Sequence, residues 1–180
     1  MIRIFLFICL ISSISCFSQK EKEKIKWEEN QPLVWTDFKG KPNALSPFKA
    51  NTNAGISFSY NYSERDGSTE LNYVIESYFY PQLSWKKEID NKEYLLAHEQ
   101  LHFDIAELHA RMFRKALSNY TIGKNLKKDL VALYKKYEQQ QVTMQREFDA
   151  ETNHSKIREA EMKWREFVKQ ELEEYQAYAD

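Results

Sequence analysis

The chain has 180 residues, room for one domain, with 42% hydrophobic and 29% charged residues, a balance that excludes a disordered polymer. A net charge of −1 leaves no basic field to recruit nucleic acid, and 4 Gly and 4 Pro are too few for long flexible linkers.

Residues 1–18 read as a secretory signal peptide. Met1-Ile2-Arg3 supplies a positive start, Ile4 to Ile11 is an unbroken apolar run, and Cys16-Phe17-Ser18 leaves small side chains around a cut before Gln19. The apolar run is too short for a permanent membrane anchor, so the protein is expected to be exported, either periplasmic or secreted. Lipidation at Cys16 is the alternative, but Ser13 stands where an aliphatic residue is usual. Cys9 and Cys16 both fall in this segment. A chain cut before Gln19 therefore has no disulfide and no thiol nucleophile.

Residues 19–31 are rich in Lys and Glu and read as a flexible charged leader, with the folded domain spanning 32–180. Pro32-Leu33-Val34-Trp35 is expected to begin a strand, and Phe38 to Pro42 a turn. Ile56, Phe58, Tyr60 and Tyr62 alternate with Ser57, Ser59 and Asn61, the period of a half-buried strand. Arg65-Asp66-Gly67-Ser68 is a hairpin turn, and Leu71, Tyr73, Ile75 and Tyr78 to Tyr80 form the returning strand, which Pro81 ends.

The second half is helical. Asp90 and Glu93 resemble a capping box, so a helix is predicted from about residue 90 to about Ser118. A second is predicted over roughly 125–150. A third starts near Ser155, with Ile157, Ala160, Trp164, Val168, Leu172 and Tyr175 at helical spacing. Strands first, then three long helices, gives an α+β domain with helices packed on a small antiparallel sheet.

Within the first helix stands His98-Glu99-Gln100-Leu101-His102. The two histidines are four residues apart, about 40° round the helix, so both imidazoles can reach one zinc ion. Glu99 lies beside them, where a carboxylate can take a proton from activated water and return it to the leaving amine. A catalytic zinc needs a third protein ligand. His109 lies seven residues past His102, about 10.5 Å along the axis, and reads as a surface residue or one that orients a ligand. The segment Phe148-Asp149-Ala150-Glu151-Thr152-Asn153-His154 sits between the second and third helices. His154 is the first choice for the third ligand. Asp149 comes next, as ligand or as the carboxylate that orients a ligand imidazole, and Glu147 or Glu151 after it. Arg111, one turn past Glu107, is expected to form an ordinary ion pair with it.

Three stretches together resemble a bacterial family of unknown function described as predicted secreted zinc-dependent proteases: Leu33 to Pro42, His98 to Glu107, and Phe148 to His154 followed by Trp164. Two positions depart from the family pattern, Leu101 and Ser155, where the family has Gly. The resemblance implies a zincin-like fold, an HExxH-type zinc metallopeptidase and a peptide or protein substrate, which zincins bind along an edge strand. Here the strand around 70–80 is the candidate edge. The competing reading is a catalytically inactive zincin-fold protein with a binding or structural role at the cell envelope.

Overall fold

The computed structural model describes residues 23–88 and 92–180. The signal segment and Asp90 of the capping box lie outside the described residues.

The alternation of residues 56–62 produces a long hairpin. Strand β3 (Ala54–Arg65) pairs antiparallel with β4 (Ser68–Phe79), in register from Ala54 opposite Phe79 to Arg65 opposite Ser68. Asp66 and Gly67 close it with φ of 52° and 78°, the two positive values that a two-residue turn matched to the strand twist requires. Ile56 and Ile75 of this hairpin are buried against the helices.

Three short strands complete the sheets. Strand β1 (Ile25–Lys26) pairs with the end of β4, Ile25 opposite Phe79, giving the order β1-β4-β3. The expected leader is thus not free along its length. Its second half is tied down by this pairing and by the Trp27 indole, which donates to Asp104 at 2.8 Å. The candidate edge strand is covered only at one end: β4 is flanked on both sides at Tyr78 and Phe79, whereas among the described residues Ser68–Glu76 pair with β3 alone. Strands β2 (Ala50–Asn51) and β5 (Trp85–Lys86) form a separate two-stranded sheet.

No strand forms at Pro32–Trp35. Val34 is extended, and a single 3-10 turn follows over Trp35–Asp37, where the Asp37 carboxylate accepts the Val34 N–H at 2.8 Å. A nearby carboxylate that satisfies the local backbone competes with strand pairing. Gly40 is required by a close approach: its N–H donates to the Ser84 carbonyl at 2.7 Å, and a Cβ there would stand 2.7 Å from the same oxygen.

The helices are α1 (Lys92–Ser118), α2 (Leu126–Thr152) and α3 (Arg158–Glu174), with a 3-10 turn over Gln176–Tyr178. Helix α1 is the centre of the molecule, sandwiched between the sheet and the other two helices. One end packs Ala110, Phe113 and Leu117 on Ile56, Ile75, Leu126 and Leu130. Phe103 meets Phe79, Phe38 and Leu33 on another side. Between the helices, Leu101 and Ile105 meet Phe148 and Val168. Full burial of each such side chain contributes about 1.5–3 kcal/mol. Among the described residues no helix is long and apolar enough to cross a membrane.

Candidate metal centre

A helix buried on every side carries polar groups inward only where they have partners. Helix α1 does so at two levels. Near its middle, Glu107 accepts from Ser77 Oγ at 2.7 Å, from Arg111 Nε at 3.0 Å and from Arg114 Nη1 at 3.0 Å. Arg111 and Arg114 also reach the carbonyls of Leu172 and Tyr178. The expected Glu107–Arg111 pair is present, but it is buried and locks the C-terminal turn to α1 rather than decorating a surface.

Nearer its start, α1 presents His98 and His102 toward α2 and α3. Their rings stand nearly perpendicular, with centroids 5.1 Å apart, and Phe148 of α2 packs on both. The next residue, Asp149, turns its carboxylate between them: Oδ1 lies 3.4 Å from His98 Nε2 and 3.3 Å from His102 Nε2. These separations are longer than good N–H···O hydrogen bonds. They match the ligand-to-ligand edges, about 3.3 Å, of a tetrahedral ion with bonds of about 2.0–2.1 Å. The ligand atoms of His98, His102 and Asp149 all lie within 4.8 Å of one another, so the group can hold a metal ion.

On its other side His98 meets α3. Nδ1 is 2.9 Å from Glu161 Oε2, and Glu161 is fully buried, its Oε1 accepting from Arg165. A carboxylate is an acceptor only, so Nδ1 carries the proton and Nε2 is aimed at Asp149. Burial opposes charge on His98, but Asp149 and Glu161 outweigh it and hold the imidazole pKa up at about 9. Asp149 is held low despite its burial by the two histidines, and Glu161 is likewise held low by His98 and Arg165. Gln145 steadies the helix from α2, its Nε2 donating to the His102 carbonyl at 2.9 Å.

Glu99 is only 3% exposed, and its Oε2 is buried without a hydrogen-bond partner among the described residues. Burial raises its pKa, against the pull of the two histidines. A carboxyl raised toward neutrality suits a group that must both accept and return a proton. Thr52, just beyond β2, donates to the Glu99 carbonyl at 3.1 Å and holds that strand against α1. Between them lies a cleft of about 560 Å³, bordered by residues 47–52 on one side and by His98, Glu99, His102 and Asp149 on the other.

His154, the first choice from the sequence for the third ligand, does not join the clustered group, and Asp149 takes that place. The reason is the backbone. Asn153, His154 and Ser155 have φ of 47°, 52° and 67°, three consecutive left-handed residues that reverse the chain after α2. The reversal swings His154 to the rim, where its ring packs tilted against Phe48 with centroids 4.1 Å apart and Nδ1 lies 3.3 Å from Asp149 Oδ1. Asp149, still helical, points inward. His109 is neither exposed nor near the centre. It is buried, with Nδ1 2.9 Å from the Ile105 carbonyl, and its pKa is lowered by burial. Glu151 is exposed and accepts from the Trp164 indole, and Glu147 is exposed. Glu161 was not singled out from the sequence. Its signal was a carboxylate in register with Ile157, Trp164 and Val168 on the apolar stripe of α3.

Fold and site together define an α+β protein with a histidine–carboxylate group suited to a metal ion on its central helix. The model of the family described as bacterial protein of unknown function (DUF922) matches residues 37–155, and the chain belongs to that family. That span contains His98, Glu99, His102, Asp149 and His154, while Glu161 lies beyond it. No curated protein and no solved structure matches the chain.

Proposed function

We propose that the protein is an exported zinc metallopeptidase of zincin-like design. One observation carries the reading: a buried glutamate, whose Oε2 has no hydrogen-bond partner among the described residues, lines the same cleft as two helical histidines and an aspartate spaced for one tetrahedral ion. Zinc suits two imidazoles and one carboxylate, leaves a fourth position open, and when bound supplies a Lewis acid that acidifies water and polarises a carbonyl.

The chain's own residues divide the remaining work. His98, His102 and Asp149 hold the ion. Glu161 fixes the His98 tautomer and ring orientation from α3. Glu99 accepts a proton from the attacking water and delivers it to the amine that leaves. Strand β2 pairs with β5 on one side and borders the cleft, so it is the element placed to align an extended peptide backbone.

The test is zinc-loaded protein against a library of unstructured peptides, with Glu99→Gln alongside. Cleavage is expected to fall by a factor of about 10²–10⁴ in Glu99→Gln while zinc content stays at one per chain. Full activity in the variant would end the assignment of Glu99.

A second reading has its own support. The centre joins α1, α2 and α3 through His98, Phe148 and Glu161, so a metal there would also staple the three helices without turnover. It expects bound zinc, a stabilised fold and no cleavage of any peptide.

A further inference from the structure

The cleft over the metal centre is bordered by Lys49, Arg146 and Lys156, and among the described residues its only acidic lining residues are Glu99 and Asp149, both belonging to the centre itself. With 26 basic and 27 acidic residues in the whole chain, a rim with three cations and, among the described residues, no free acid is a local departure. The buried or half-buried arginines Arg111, Arg114 and Arg165 are matched to Glu107 and Glu161. Among the described residues, no ion pair involves Lys49, Arg146 or Lys156, and all three are exposed.

Each of the three hangs from a fixed piece of backbone. The Lys49 carbonyl accepts the Lys87 N–H at 2.7 Å, beside the β2–β5 pairing. Arg146 lies on α2 one turn before Asp149. Lys156 follows the left-handed turn, and its N–H donates to the Thr152 carbonyl at 2.9 Å. Three separate parts of the fold thus bring positive charge to one concave surface, where a metal ion would add more. Low-dielectric walls focus such a field onto whatever enters.

We propose that this cleft selects peptides carrying a carboxylate, on an acidic side chain or at a free C-terminus, with Lys49, Arg146 and Lys156 as specificity-determining residues. The proposal rests on the peptidase reading above and names its substrate class. Neutral and basic peptides enter without gain or against repulsion.

Binding can be measured without turnover in zinc-loaded, full-chain Glu99→Gln by fluorescence anisotropy. Three labelled hexapeptides serve as probes: one amide-capped with a central Glu, its Gln counterpart, and the Gln peptide with a free C-terminal carboxylate. At low salt a carboxylate-bearing peptide is expected to bind about tenfold tighter than the capped Gln peptide. The advantage should shrink at about 0.5 M salt. It should vanish when Lys49→Gln, Arg146→Gln and Lys156→Gln are combined, with zinc content and melting temperature unchanged. Lys156→Glu alone, at an exposed position, should weaken the acidic peptide selectively. Whichever acidic probe gains shows whether the carboxylate is a side chain or a terminus. Equal affinity for all three peptides, or a preference that survives both sets of substitutions, overturns the proposal. Cleavage by the unsubstituted chain with no carboxylate preference overturns it while leaving the peptidase reading standing. A carboxylate preference with no cleavage of any peptide does the reverse.

Discussion

Asp149 and His154 are five residues apart and both touch the centre, yet they differ in what the backbone allows. Asp149 is the penultimate inward position of α2, with Oδ1 between two imidazole nitrogens, whereas His154 is carried to the rim by the left-handed turn. Asp149→Asn should therefore lose most of the bound zinc, while His154→Ala should keep about one ion per chain, as elemental mass spectrometry would read. Retained zinc in the first variant and loss in the second would reverse the ligand assignment. Glu161 acts one bond further out. Glu161→Gln keeps the shape but weakens the acceptor for His98 Nδ1, and zinc affinity should fall by about 10–100-fold in competition with a chromophoric chelator. Ser155, with φ of 67°, holds the left-handed conformation that favours glycine, so Ser155→Gly is expected to be tolerated or mildly stabilising in thermal unfolding.

At the scale of elements, α1 is unusual in carrying buried charge along a helix that is covered on all sides. The centre links its first half to α2 and α3. The Glu107–Arg111–Arg114 group links its second half to β4, through Ser77, and to the C-terminal turn. Breaking a buried charge network from one side leaves the other charge unpaired. Glu107→Ala is therefore expected to cost about 3–5 kcal/mol in urea unfolding, with the zinc site intact in whatever remains folded. A loss below about 1 kcal/mol would mean that water or a rearranged Arg111 replaces the carboxylate. Leu101 packs with Ile105, Phe148 and Val168 and does not line the cleft. It fills the core between the helices.

The whole molecule should respond to metal removal in a pH-dependent way. In metal-free protein burial disfavours a charged His98, but Asp149 and Glu161 prevail, and its pKa stands at about 9 against an ordinary 6.5. A pKa raised in the folded state contributes stability in full below 6.5 and loses it as pH rises toward about 9. Chelated protein should accordingly melt at progressively lower temperature across that window. Zinc-loaded protein, whose ligand nitrogens have no proton to lose, should melt higher throughout and stay nearly flat there. Parallel curves for the two forms in calorimetry would show that the ion and the proton do not compete for His98.

Local signals in the sequence determined the hairpin, its Asp66-Gly67 turn, the three helices and the pair His98 and His102. Each depends on spacing along one element, where period and geometry are fixed by the backbone. Glu99 was legible for the same reason, as was the choice of segment around Phe148 to His154. Which residue of that segment joins His98 and His102 was decided only by tertiary structure. A single left-handed reversal over residues 153–155 exchanges inward and outward side chains, and no non-glycine triplet announces it. Strand β1 inside a charged leader, the 3-10 turn in place of a strand at Trp35, and the central position of β4 are likewise products of partners far away in sequence. So are the pairing of His98 with Glu161, 63 residues on, and the gathering of Lys49, Arg146 and Lys156 at one rim. Local periodicity assigns each residue a face of its own element. What that face meets is fixed only when the elements pack and each buried charge must find its counterpart.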